Sequence, residues 1–186
     1  MGIRTSSETR LLDAAEELFF ARGIGATPID AVIASAGVSP ATLYRGYASK
    51  DELVAAVLTR RHRQWVEAWD DAIARGTTMP DRLLAVFDAL EEFRARPHAA
   101  RWCAFLGTAA EYAEPPVGID EAVARDTETL RSRLRELAEP LGEPRASTVV
   151  DELLLLVTGY LAMRLRDPAH STATARRIAS GLLADF

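Results

Sequence analysis

Apolar residues three and four positions apart run through this chain almost from end to end, and two-residue alternation is nearly absent. Leu11, Leu12, Ala15, Leu18 and Phe19 line one face of a first helix over about 6–22. Thr5 and Glu8 are spaced as a capping box for it, and Gly23 and Gly25 stop it. Thr27 is placed to cap a second helix, with Pro28 at the first helical position and Ile29, Val32, Ile33 and Ala36 as its buried stripe. Gly37 supplies a turn. A very short third helix then opens at Ser39 and Pro40 and ends near Arg45–Gly46. Ser49, with Glu52, starts a fourth that reaches Arg75 and Gly76, a length of about 40 Å at the usual rise, enough to bridge two parts of the molecule. Segments near 80–95, 98–113, 119–141, 144–166 and 171–185 follow, separated by Pro- and Gly-bearing breaks. The prediction is all-α, about nine helices.

Composition narrows the class. A chain of 186 residues, 48% hydrophobic and 26% charged, excludes disorder, collagen-like repeats and a disulfide scaffold. Cys103 is the single cysteine, and His62, His98 and His170 have no metal spacing with it or one another, so neither a metal nor another cofactor is expected. The run Leu153 to Met163 falls well short of the roughly 20 apolar residues that cross a bilayer, and MGIRTSSETR has no apolar core for a signal peptide. No membrane association and a cytoplasmic location are expected. Arg4, Arg10, Arg22, Arg45 and Lys50 balance Glu8, Asp13, Glu16, Glu17 and Asp30, so the net charge of −5 falls on 51–186. A neutral N-terminal part is no bar to nucleic acid, where the local charge of the contact face decides.

The informative stretch is TPIDAVIASAGVSPATLYRGYASK, residues 27–50. Two short helices joined by a tight turn form a helix-turn-helix, whose second helix enters the DNA major groove while the first braces across the backbone. Residues 10–57 resemble the N-terminal domain of the TetR family of transcriptional regulators. The resemblance is carried by Leu-x-x-Ala-x-x-Leu-Phe, Gly-x-x-x-Thr, Ala-Gly-Val-Ser, Thr-Leu-Tyr and Ser-Lys-x-x-Leu. It implies a DNA-binding domain over 1–50 and an effector-binding and dimerisation bundle over 51–186. It assigns Thr27, Tyr44 and Lys50 to phosphate contacts, and Ser39, Pro40, Ala41, Thr42 and Arg45 to the groove. Phenol and ammonium groups are natural phosphate donors, and an arginine can pair with guanine through two hydrogen bonds. Gly46 stands where the family has His or Tyr, Ile33 where it has a small Ala, and Pro40 where a basic residue is common. The expected binding is specific but modest.

The tail, with Arg101–Trp102–Cys103 on one helix and Gly159 on a late apolar one, looks like the family's ligand-binding and dimerising part. Trp65, Trp69, Phe87, Phe93, Trp102 and Phe105 are candidates for a pocket, though aromatic stripes at this spacing also build plain core. Glu111, His98, Thr127 and Thr158 are the candidate polar groups to orient a ligand. Arg60–Arg61–His62–Arg63 reads as a solvated basic face, with contact to flanking DNA or a partner as the other reading. The helix near 144–166 is apolar nearly all round and needs burial on several sides. Val149, Leu153, Leu156, Gly159, Tyr160 and Met163, with Ile178, Leu182 and Phe186, are expected to form a two-fold homodimer interface. The function implied is a DNA-binding regulator, a repressor released from palindromic double-stranded DNA by a small organic effector. The alternative is such a regulator without an inducer. No catalytic constellation supports an enzyme.

Overall fold

Glycines and prolines break the chain where local chemistry says they should. The computed structural model describes residues 3–95 and 103–184. Its helices are α1 (Thr5–Arg22), α2 (Ile29–Ala36), α3 (Pro40–Gly46), α4 (Lys50–Arg75), α5 (Met79–Arg94), α6 (Ala104–Glu111), α7 (Val117–Ala138), α8 (Arg145–Arg166) and α9 (Ala173–Leu182), with a 3₁₀ turn at Glu139–Leu141. There is no strand among the described residues. The all-α expectation holds.

Two caps differ from expectation. Thr5 is already helical, and the residue before it, Arg4, makes no side-chain cap, so the Thr5–Glu8 box does not form. Pro28 rather than Thr27 occupies the cap position of α2. The Thr27 hydroxyl turns inward and donates to the Gly23 carbonyl at 2.7 Å. Elsewhere the capping logic works. Ser39 accepts from the Thr42 amide at 3.1 Å, and Thr78 forms a full capping box with Asp81 at the start of α5.

The chain divides into two compact units. The first comprises the described parts of Met1–Arg61 and Pro97–Ala124, the second those of His62–Arg96 and Arg125–Phe186. Leu11, Phe19, Val32, Leu43, Leu53 and Ile119 are buried in the first core. Trp69, Leu83, Phe87, Leu134 and Leu153 are buried in the second.

Two expectations about α8 are corrected. By length and composition it is apolar enough to cross a bilayer, with an 18-residue window of mean hydropathy 1.5, because isolated charges do not lower the average much. Much of the side expected at the interface is core instead. Val149, Leu153 and Tyr160 are buried in their own unit, together with Val150 and Val157. The outward stripe is Leu155, Thr158, Gly159, Ala162 and Met163, spaced three and four apart. Leu155 is 73% exposed, and on α9 Ile178 is 41% exposed. Leu156 and Leu182 are half-buried, and Phe186 lies outside the described residues.

Candidate nucleic-acid interface

The turn between α2 and α3 is built by Gly37. Its φ of 61° is left-handed, which a residue without Cβ adopts at little cost. The Val38 amide donates to Ile33 O at 3.3 Å and the Gly37 amide to Ala34 O at 3.2 Å, the paired bonds of a Schellman motif. Ile33, 7% exposed, packs beneath this turn in the core. Leu43 is fully buried and anchors α3, while Tyr47 is buried just beyond it. Burial and the Glu8 carboxylate push the Tyr47 phenol up to about 12, so it stays a protonated donor to Glu8 at physiological pH.

With its buried edge fixed, α3 presents Pro40, Ala41, Tyr44 and Arg45 on one exposed face. Tyr44 is 53% exposed despite its size. Ser39 is exposed and Thr42 half-buried, and their hydroxyls share a hydrogen bond of 2.9 Å. Two hydroxyls sharing one bond leave one proton to donate outward. Beside Gly46 lies Ile3, whose Cγ2 would be 3.2 Å from an added Cβ, so a larger residue there would press on it.

Two of the expected phosphate ligands sit differently. Thr27 is only 1% exposed and its hydroxyl faces the Gly23 and Leu18 carbonyls, so its side chain is corrected from a phosphate contact to a buried clasp. Lys50 is half-buried, donates from Nζ to the Ile24 carbonyl and lies 5.7 Å from the Phe19 ring centroid. An ammonium has three donors, so this bond does not exhaust it.

The basic run of α4 is partly turned inward. Arg60 donates to Asp13 at 2.7 Å and to Glu16 at 2.6 Å, and Arg61 donates to Glu16 as well. Arg61 and Glu16 are 8% and 5% exposed, so the reading of a solvated face is corrected for this pair. His62 pairs with Asp126 at 3.0 Å, and Arg63 is exposed.

The candidate pocket residues do not come together as one group. Trp65 stacks on Trp69 at 5.7 Å with Phe93 edge-on at 5.7 Å, and Phe87 is fully buried in the same core. Phe105 belongs to the core of the first unit, and the Glu111 carboxylate accepts from two backbone amides of the turn between α1 and α2. Thr127 and Thr158 are exposed, while His98 and Trp102 lie outside the described residues. A depression of about 500 Å³ in the second unit is lined by Arg75, Asp81, Asp88, Glu91, Glu92 and Arg176, a charged wall that sequence reading did not single out. Among the described residues no group of three or more His, Cys, Asp or Glu could hold a metal ion.

Residues 11–57 match the family described as bacterial regulatory proteins, tetR family. The crystal structure of SCO4454, a TetR-family transcriptional regulator from Streptomyces coelicolor, superposes with a TM-score of 0.87 at 29% identity. That match covers 98% of this chain and 96% of the other. Residues 11–57 are a TetR-family DNA-binding domain, on a chain with the TetR fold. Likeness extends past this N-terminal domain. Rv1255c, an uncharacterized HTH-type transcriptional regulator of Mycobacterium tuberculosis, is 29% identical over 178 residues, covering 95% of this chain and 81% of its own. The HTH-type transcriptional activator FasR of Mycolicibacterium smegmatis is 37% identical over 90 residues, covering 48% of this chain and 41% of its own. TetR-family regulators bind DNA, and the α3 surface is the candidate for that contact here.

Proposed function

We propose that this regulator is a cytoplasmic homodimeric repressor whose two α3 faces read the halves of a palindromic duplex, and that a small organic molecule releases it. The observation that carries the DNA reading is the exposed set of Tyr44 and Arg45 on a helix fixed by buried Leu43. Residues 1–50 read DNA in this account and 51–186 serve assembly and effector response, with Tyr44 and Lys50 on phosphates. Assembly through α8 and α9 is supported by the exposed stripe of Leu155, Gly159, Met163 and Ile178. An added Cβ at Gly159 would meet nothing within 4 Å, so a partner helix has room to approach. Leu155→Arg should convert a dimer into a monomer at micromolar concentration in sedimentation velocity. A wild-type protein that sediments as a monomer there would refute the assembly.

The effector reading rests on Trp65, Trp69 and Phe93. The Trp69 indole N–H is buried and finds no hydrogen-bond acceptor among the described residues. An uncharged, flat organic molecule bearing an acceptor would suit that surface. Both tryptophans belong to α4, the helix that begins at Lys50. The ligand releases DNA only by preferring the DNA-free conformation, and DNA must weaken its binding by the same factor. Tryptophan fluorescence titration of a compound library, with and without bound duplex, tests this; a ligand that leaves DNA affinity unchanged would refute it. Full burial of Trp69 and Phe87 favours a second reading, a regulator with no small-molecule inducer.

A further inference from the structure

The turn between α1 and α2 has two backbone amides that no helix of its own satisfies, and both point at one carboxylate. The Ile24 amide donates to Glu111 Oε1 at 3.1 Å and the Gly25 amide to Oε2 at 2.8 Å. The Ile24 carbonyl accepts from Lys50 Nζ and from the Thr27 amide, and the Thr27 hydroxyl reaches back to Gly23 O. Residues 23–27 are thus gripped from the end of α6 on one side and from the start of α4 on the other.

The neighbour of Glu111 completes the grip. Tyr112 Oη donates to Asp51 Oδ1 at 2.9 Å, on the residue after Lys50. Burial and the adjoining Asp51 and Glu111 carboxylates raise the Tyr112 phenol, which keeps it a protonated donor. Glu111 itself lies on the exposed side of α6, so its deletion empties no core. What it supplies is geometric: two charge-assisted bonds in a fork fix both distance and orientation of a peptide segment.

Resting on the DNA-binding reading above, we propose that Glu111, supported by Tyr112, is a positioning residue for DNA recognition. Its carboxylate holds the α1–α2 turn, and through it Lys50 and the entry to α2, in the geometry that DNA requires. Glu111 touches no DNA in this account and acts through the turn. Displacement of the end of α6 therefore lowers DNA affinity.

The test uses the full-length protein and a duplex that the wild type selects from a random-sequence library. Glu111→Ala should weaken binding to that duplex on the order of tenfold, the scale of losing charge-assisted hydrogen bonds. Glu111→Gln, whose side-chain oxygen can still accept from one amide, should fall between it and wild type. Amide hydrogen exchange at Ile24 and Gly25 should quicken in Glu111→Ala while Leu11 and Leu43 stay protected, a local readout that general destabilisation would not give. Faster exchange at the turn with unchanged DNA affinity would overturn the positioning role. Unchanged exchange would overturn the grip itself. A wild type that selects no duplex would instead overturn the DNA reading beneath the proposal.

Discussion

Glu16→Ala is expected to destabilise the protein by about 3–5 kcal/mol, the usual scale for removing one partner of a buried ion pair. Glu16 is 5% exposed and its two oxygens accept from Arg60 and Arg61. Arg61 also lies 5.7 Å from the Phe20 ring centroid, which holds its guanidinium in the core. Alanine removes the buried carboxylate that both guanidinium groups share, while Asp13 still accepts from Arg60. The pair is no proof of net stability, because a well-packed apolar replacement can equal it. The double variant Glu16→Leu with Arg61→Met should accordingly lose much less than Glu16→Ala alone. Urea unfolding of the single and double variants measures both. A loss below about 1 kcal/mol in Glu16→Ala would mean Arg61 escapes to water and the ion pair is not a structural link between α1 and α4.

Phe87→Ala should cost a similar amount, about 3–5 kcal/mol, the range for truncating an aromatic in a packed core. Phe87 is fully buried, as are Leu83 and Val86 on the same helix and Trp69 in the same cluster. A core that cannot collapse around the missing ring keeps a cavity, and the cost grows with its volume. Phe93 is only partly buried at the cluster's edge, so Phe93→Ala should cost less. Denaturant unfolding followed by tryptophan fluorescence reports on this region directly through Trp65 and Trp69. A loss near zero for Phe87→Ala would show that its ring faces a void, which would restore it as a pocket residue.

The reading head was readable in the sequence because its signals are local. Gly37, Ser39, Pro40 and Ser49 act within a few residues, and their caps and turn form where spacing places them. Thr27 misleads for the same reason. Thr-Pro before an apolar stripe has the local form of a helix cap, but the hydroxyl finds carbonyls at the end of α1. The bonds of Glu111 to the α1–α2 turn are not legible in the sequence because its partners lie 87 and 86 residues away, beyond any periodicity. The α8 helix posed a different difficulty. Apolar residues on every side announce burial without saying which side meets the core, and only packing separates Val149 and Leu153 from Leu155. Gly159, four residues after Leu155 and followed by Ala162, was the one local sign of the outward stripe.

On the surface of α3, Arg45 is the residue best placed to discriminate between bases. Arg45 is exposed and appears in none of the ion pairs found among the described residues, leaving its guanidinium available for a base edge. A two-pronged arginine–guanine contact is worth about 1–3 kcal/mol of discrimination. Selection of duplexes from a random-sequence library, sequenced in parallel for wild type and Arg45→Ala, measures that discrimination directly. The predicted result is a palindromic site for the wild type and a variant that loses preference at one symmetric pair of positions, with affinity for the parent site down by about 5- to 150-fold. Identical selected sites and equal affinities for the two proteins would contradict the assignment of α3 as the reading surface.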